Sequence, residues 1–304
     1  MRTRPAGEHR HPLRWVLSRE LVRDWLRSFR RSRGALYFRA RNRFSSGPVR
    51  GDAPVVVSLT SYGNRIRAVH LAVESMVHGT VRPRRLILWL READVVADPP
   101  PPLARLVRRG LELRCTEDWG PHQKYYPYVR SQPRHALPLV IADDDVLYGE
   151  TWLEELLAVH DRHPQDVVAH RTHRIRLAGG RILPYATWSP GAPPEASFRT
   201  FATGTSGVLY PPHLLEALRE LGTAFTACAP MADDVWLHAV ALRNGTPTRP
   251  VADGRTAYRP ILRTLFRGLS TTNVLRGGND MQIAATYSAS DVEELERARA
   301  TEGP

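Results

Sequence analysis

The chain has 304 residues, 42% of them apolar, which is enough to bury the core of one large domain or two small ones. Its formal charge of +12 is unevenly placed: residues 1–50 hold 14 Arg against 3 acids, whereas residues 51–304 hold 29 Lys and Arg against 28 acids. The body is therefore near neutral, which argues against nucleic-acid binding by it. There is no run of about 18 apolar residues, so no bilayer-spanning helix is predicted. The charged N-terminus lacks a following apolar stretch, so no signal peptide is predicted either. Two cysteines, Cys115 and Cys228, are too few for a disulfide framework. Their apolar or small neighbours predict reduced core thiols in a cytoplasmic protein.

Residues 11–43 carry Leu13, Leu17, Leu21, Trp25 and Phe29 at four-residue intervals, with Arg14, Arg19, Arg23 and Arg27 filling the remaining face. This is a basic amphipathic helix, suited to an anionic membrane surface such as the inner face of the cell membrane. The alternatives are a helix packed on the domain or a solvated arm. Ser45-Ser46-Gly47-Pro48 reads as a linker. The chain thus divides into an arm over 1–50, a main domain over 51–285 and a charged tail over 286–304, predicted to be a frayed helix.

From residue 54 the pattern alternates. Val55 to Leu59 reads as a buried parallel strand, 65–78 as a helix, and Leu86 to Leu90 as a second strand. Pro99 to Pro102 opens a short helix that ends near Gly110. Leu111 to Cys115 is a third strand, 121–131 is helical, and Leu137 to Ala142 is a fourth strand. This order predicts an α/β fold with a mainly parallel, doubly wound sheet, whose ligands bind beyond the carboxyl ends of the strands. Farther on, Trp152 to His160, Leu214 to Leu221 and Val235 to Leu242 read as helices. Val167 to Ala169 and Arg174 to Leu177 read as strands, the latter followed by a Gly179-Gly180 turn. These later pieces form a small mixed region.

The fourth strand runs directly into Asp143-Asp144-Asp145. Adjacent carboxylates repel one another, increasingly so where water is excluded. On an extended chain Asp143 and Asp145 share one side and Asp144 faces away. Two hard oxygen ligands on one side suit Mg²⁺ or Mn²⁺, with water and phosphate oxygens completing the shell. A solvated acidic turn is the bland alternative. Asp233-Asp234 precedes a helix, where one acid is an ordinary cap and the second points to a site and a general base. Gly204-Thr205-Ser206-Gly207 is a glycine turn able to present backbone N–H groups to a ligand, or simply a tight turn. Arginine outnumbers lysine 42 to 1. Lys124 therefore marks a place where a compact ammonium rather than a planar fork is needed, chance being the alternative.

At these residues the chain resembles the family 2-like inverting glycosyltransferases of the GT-A fold, and among them a bacterial group found with capsule and cell-surface polysaccharide genes. The matching pieces are Ser58-Leu59-Thr60-Ser61-Tyr62 with Arg65-Ile66, Leu88-Trp89-Leu90, Ala142-Asp143-Asp144-Asp145, Thr203 to Pro212, Ala232 to Trp236, and Asn279 to Gln282. Together they cover about residues 54–285. The resemblance implies a hexosyltransferase-type enzyme that uses a UDP-, GDP- or dTDP-linked sugar, a divalent cation (Mn²⁺ or Mg²⁺), and a glycan or lipid-linked acceptor. It implies that Ser58, Thr60, Ser61 and Tyr62 line the nucleotide and that Arg65 lies near the phosphates. Asp143 and Asp145 would hold metal and donor diphosphate, with Asp144, Gly204 and Thr205 beside the donor. Asp233-Asp234 would be the acidic pair whose second member is the base. Asp118 to Lys124 matches a charged stretch of the group, which puts Asp118 and Lys124 at the donor. One departure stands out. Where typical members carry an Asp-Asp-Gly-Ser segment for uracil, this chain has Leu88 to Asp94, so the base is left open.

Two rival readings remain at this stage. One is a metal-dependent phosphohydrolase or nuclease that recruits His170 and His173. The other is a non-catalytic protein whose arm binds membrane or nucleic acid; the arm lacks the interleaved aromatics of a stacking platform, which favours membrane. His122, Trp188 and Trp236 are candidates for sugar contact or for packing.

Overall fold

The computed structural model describes residues 34–261 and 278–302. Most of the predicted basic helix lies outside them. Residues 34–44 are helical and pack on the body, with Phe38 buried against Leu71, Ala72 and Ile261. Asn42 fastens this segment by donating to Glu74 Oε1 and to the Pro102 carbonyl, both at 3.1 Å.

Seven strands form the central sheet: β1 (Ala53–Thr60), β2 (Pro83–Leu90), β3 (Glu112–Cys115), β4 (Leu139–Ala142), β5 (Val167–Ala169), β6 (Val208–Tyr210) and β7 (Thr248–Pro250). Their spatial order is β3-β2-β1-β4-β6-β5-β7. All run parallel except β6, which is antiparallel to both its neighbours. This is the mainly parallel, Rossmann-like sheet expected from the alternating pattern. Successive residues of β1 serve opposite faces. Val55, Val57 and Leu59 join a core with α1 (Ile66–Val77), α2 (Pro101–Arg108) and α3 (Trp152–Arg162). Val56 joins the core on the other face, with α4 (Pro212–Leu221), α5 (Asp233–Arg243), α6 (Gly278–Thr286) and α7 (Ala289–Glu302). Burial on both faces is why β1 reads as an unbroken apolar run.

The chain steps from β1 to β2 and β3 on one side, then returns to β4 on the other side of β1. The carboxyl ends of β1 and β4 therefore open a crevice at the switch point, the usual ligand position in such sheets.

Three expectations change. The strand predicted over 174–177 is two strands. Thr172–Arg174 lies in a three-stranded sheet with Ser189–Pro190 and Thr200–Ala202, whereas Leu177–Ala178 pairs with Arg181–Ile182 across the predicted glycine turn. The break falls at Ile175, which is wholly buried and donates to the Arg199 carbonyl. The tail is not frayed over its described length. Ser288 and Asp291 cap α7 reciprocally (Ser288 N to Asp291 Oδ2, 2.7 Å; Asp291 N to Ser288 Oγ, 3.3 Å), and Leu295 is fully buried. At its far end, Glu302 is gripped by Arg174, Arg199 and Ser197. Finally, Cys115 is exposed on the edge strand β3 rather than in the core; both cysteines are free.

Candidate active site

The crevice is a cleft of about 890 Å³, lined from both halves of the sheet by Thr60, Tyr62, Arg65, Lys124, Asp143, Asp144, Asp145, Thr205, Asp233 and Asp234, among others. Lys124 stands at its centre, at the end of the short helix Gly120–Lys124. Its backbone carbonyl accepts the Ser58 hydroxyl at 2.6 Å, and Ser58 in turn accepts the Trp89 indole N–H at 3.0 Å. That chain ties the lysine to β1 and β2. The ammonium lies 2.6 Å from Asp143 Oδ1 and 3.7 Å from Asp233 Oδ2. Burial alone would lower its pKa, but the charges of Asp143, Asp233 and Asp234 outweigh burial and hold it well above the ordinary value. Lys124 is therefore a fixed cation.

The Asp triplet does not stay extended. Asp144 and Asp145 form a turn between β4 and the short strand Val146–Leu147, so the strict alternation expected of them fails. Asp144 and Asp145 converge on one guanidinium: Arg65 Nη2 is 2.7 Å from Asp144 Oδ1 and also bonds Asp145 Oδ2. Asp144 is only 5% exposed and accepts the Ser61 hydroxyl at 2.6 Å. Burial pushes its carboxyl up to about 7 against the pull of Arg65 and Ser61. Burial acts the same way on Asp143, but Lys124 overrides it and the carboxyl sits below its usual range. Asp145 is raised by burial and by the neighbouring charge of Asp143.

Across the cleft, Asp233 and Asp234 open α5, a helix buried along nearly its whole length. They sit in its first turn, where the dipole favours negative charge. Gly204 N donates to Asp234 Oδ1 at 2.9 Å. A Cβ on Gly204 would lie 3.1 Å from that oxygen and 3.3 Å from Lys124 Nζ, so glycine lets carboxylate and ammonium share one backbone edge. Burial, with Asp233 beside it, pushes Asp234 up to about 8 despite Lys124. The Asp233 Oδ2 atom is buried without a hydrogen-bond partner.

Several predicted donor residues sit elsewhere than expected. Ser58 and Ser61 are fully buried behind the cleft wall, where they orient Lys124 and Asp144. Thr60 lines the cleft with its hydroxyl on the Trp89 carbonyl at 3.0 Å. Gly204 lies just behind the surface, whereas Thr205 lines it and bonds Asp143. Tyr62 lies between two guanidinium groups, Arg65 at 5.4 Å and Arg91 at 5.6 Å from its ring centre. Asp118 pairs with Arg91 at the rim. Arg91, Arg171, Tyr185, Phe201 and Asn279 also line the cleft and were not singled out in the sequence. Two of them carried a signal: Arg91, inside the departing segment 88–94, and Asn279, which opens the matching piece Asn279 to Gln282. His122 is packing: it is fully buried, stacks on Phe225 at 3.9 Å, and bonds Tyr125 Oη and the Ala229 carbonyl. Trp188 and Trp236 are buried in the core as well. His170 bonds the Trp152 carbonyl at 2.8 Å and His173 packs on Tyr185.

Among the described residues no group of three or more His, Cys, Asp or Glu side chains is arranged around a metal position. Asp143 and Asp145 nonetheless fit a Mg²⁺ or Mn²⁺ ion of the phosphate-bridging kind, which takes one or two carboxylates and fills the rest with water and phosphate oxygens. The push of Asp143 on Asp145 is the repulsion such an ion would relieve.

Fold and cleft together define a Rossmann-like α/β protein with an acidic, lysine-centred site at its switch point. No protein-family model and no curated protein matches the chain. Among solved structures it is similar to S. aureus TarS 1–349, at 15% identity and a TM-score of 0.44 over 81% of this chain and 72% of that one. A longer TarS chain is covered over 36% of its length. It is also similar to the mannosyltransferase PcManGT from Pyrobaculum calidifontis in complex with GDP-Man and Mn²⁺, at 14% identity and a TM-score of 0.45 over 92% of this chain and 86% of that one. A third likeness is to 4-diphosphocytidyl-2C-methyl-D-erythritol synthase from Anaerococcus prevotii, at 11% identity and a TM-score of 0.44 over 67% and 91%. These likenesses concern the α/β frame alone.

Proposed function

We propose that the chain is an inverting glycosyltransferase that moves a hexose from a nucleotide-sugar donor to an acceptor hydroxyl in cell-surface polysaccharide or glycan synthesis. One observation carries this reading. A half-buried ammonium, Lys124, lies between a strand-end carboxylate, Asp143, and a helix-start acidic pair, Asp233-Asp234, within one cleft. That arrangement supports a reading in which positive charge meets a departing diphosphate beside a base for an incoming hydroxyl.

The diphosphate lies toward Lys124 and Arg65, whose positive charges meet its oxygens. Asp234, held by the Gly204 N–H, takes the proton of the acceptor hydroxyl. The freed oxygen bonds to the anomeric carbon as the bond from that carbon to the phosphate oxygen breaks, and the nucleoside diphosphate leaves. A divalent cation on Asp143 and Asp145 would supply Lewis-acid stabilisation of the leaving diphosphate. Asp233, facing Lys124, keeps the ammonium between the two carboxylate groups. The phosphohydrolase reading loses its extra ligands, because neither His170 nor His173 lines the cleft.

The test is a donor screen with UDP-, GDP- and dTDP-sugars, with and without Mn²⁺, that follows release of the nucleoside diphosphate. Asp234→Asn should keep nucleotide binding and lose transfer by about 10²–10⁴-fold, the usual worth of a general base. A variant that transfers at the wild-type rate refutes the base. A second contact, with an anionic membrane, is proposed for the basic N-terminal arm; exposed Leu36, Tyr37 and Phe44 on the described part of that arm support it.

A further inference from the structure

The three carboxylates at the end of β4 are occupied by the protein's own donors. Asp143 takes the Lys124 ammonium at 2.6 Å and the Thr205 hydroxyl. Asp144 takes Ser61 at 2.6 Å and Arg65 at 2.7 Å, and Asp145 takes Arg65 as well. A lone divalent cation approaching Asp143 and Asp145 meets two fixed positive charges and must displace both to reach its ligands. A nucleoside diphosphate changes that balance, because its oxygens are alternative partners for an ammonium and a guanidinium. Once Lys124 and Arg65 turn to phosphate, the carboxylates are free for a metal that the same phosphates also coordinate.

We propose that Lys124 and Arg65 are tethered counter-ions of the metal carboxylates, so that the cleft takes up a divalent cation only together with a nucleoside diphosphate. The proposal rests on the nucleotide-sugar reading and adds to it an obligatory coupling between the two ligands. Coupling of this kind is reciprocal: each ligand tightens the other by the same factor. A lysine suits this role better than an arginine, because a compact ammonium on a flexible stem can leave one anion for another within a tight space. The 3.3 Å from Lys124 Nζ to a would-be Cβ on Gly204 measures that tightness.

The experiment titrates the full chain with Mn²⁺ alone, with UDP or GDP alone, and with both, reading free Mn²⁺ by electron paramagnetic resonance and heat by calorimetry. The wild-type protein should bind Mn²⁺ at least tenfold more tightly with the nucleotide bound, and the nucleotide at least tenfold more tightly with Mn²⁺ bound. Lys124→Met should bind Mn²⁺ alone at least tenfold more tightly than the wild type does, with a smaller coupling factor. Arg65→Gln, at a partly exposed side chain, provides the same comparison if the lysine variant fails to fold. Equal Mn²⁺ affinity with and without bound nucleotide overturns this proposal and leaves the enzyme reading standing. Failure of UDP, GDP and, tried in their place, dTDP to bind under any condition sinks both.

Discussion

Asp234 ties the proposed base role to the stability of the fold through one titration. Burial and Asp233 hold its pKa at about 8, so a base role predicts a transfer rate that rises with pH and levels off above about 8. The stability consequence has the opposite sense. The folded protein keeps a proton on Asp234 that the unfolded chain releases near the ordinary Asp value, so the folded state binds more protons between about 4 and 8. This group's contribution to stability therefore falls as pH rises through that window. Asp234→Asn, which cannot ionise, should raise the melting temperature more at pH 8.5 than at pH 5; an equal shift at both pH values, or a flat rate profile, contradicts the assignment. Much at this scale was legible. Carboxylates at a strand end and a helix start, and a solitary lysine among arginines, announced themselves by residue type and position. Ser58 did not reveal that it faces the wall, because a strand buried on both faces leaves no polar side to read, and Ser61 lies just past the end of that strand, where no period reaches it. Arg171, Tyr185 and Asn279 reach the cleft from distant segments, and only the folded chain brings them there.

The turn between Thr203 and Gly207 is the element that joins the two acidic groups. Gly204 holds Asp234, Thr205 holds Asp143, and the Ser206 carbonyl accepts the Trp152 indole N–H from α3 at 2.7 Å. Ser206 and Gly207 both adopt left-handed backbone conformations, with φ of 90° and 99°, which non-glycine residues rarely hold without support from their surroundings. A Cβ on Gly207 would lie 2.5 Å from Trp152 Nε1. Gly207→Ala should therefore cost about 1–3 kcal/mol by overpacking, measured by urea unfolding, and a variant as stable as the wild type would show that the clamp does not exist. Longer elements were legible, β1 and β2 from apolar runs and α1 and α5 from helical length and apolar content. The three-stranded sheet beside the cleft was not, because strands of two or three residues display no period. The capping pair Ser288 and Asp291 offered a start signal for α7 that a reading based on charge alone passed over.

For the whole molecule, the charge map sets a near-neutral body against a basic segment over residues 1–50. Residues 34–44 are anchored through Phe38 and Asn42 and expose Leu36, Tyr37 and Phe44. In the proposed membrane contact, the 14 arginines of residues 1–50 would supply the attraction to anionic lipid. Among the described residues no helix is long and apolar enough to cross a membrane. In liposome flotation the full chain should rise with anionic vesicles and stay down with neutral ones, and a chain lacking residues 1–33 should lose that response; undiminished flotation of the shortened chain removes the arm from the account.

Lys124 is the sole ε-amine in the sequence, and it stands at the middle of the cleft rather than on the surface. An acylating reagent attacks only the neutral amine, and Lys124 is held as the ammonium between Asp143 and Asp233. Its modification should therefore lag far behind that of an exposed ε-amine, and acyl mass found on Lys124 itself records any loosening of that carboxylate grip, without any label having to be engineered in.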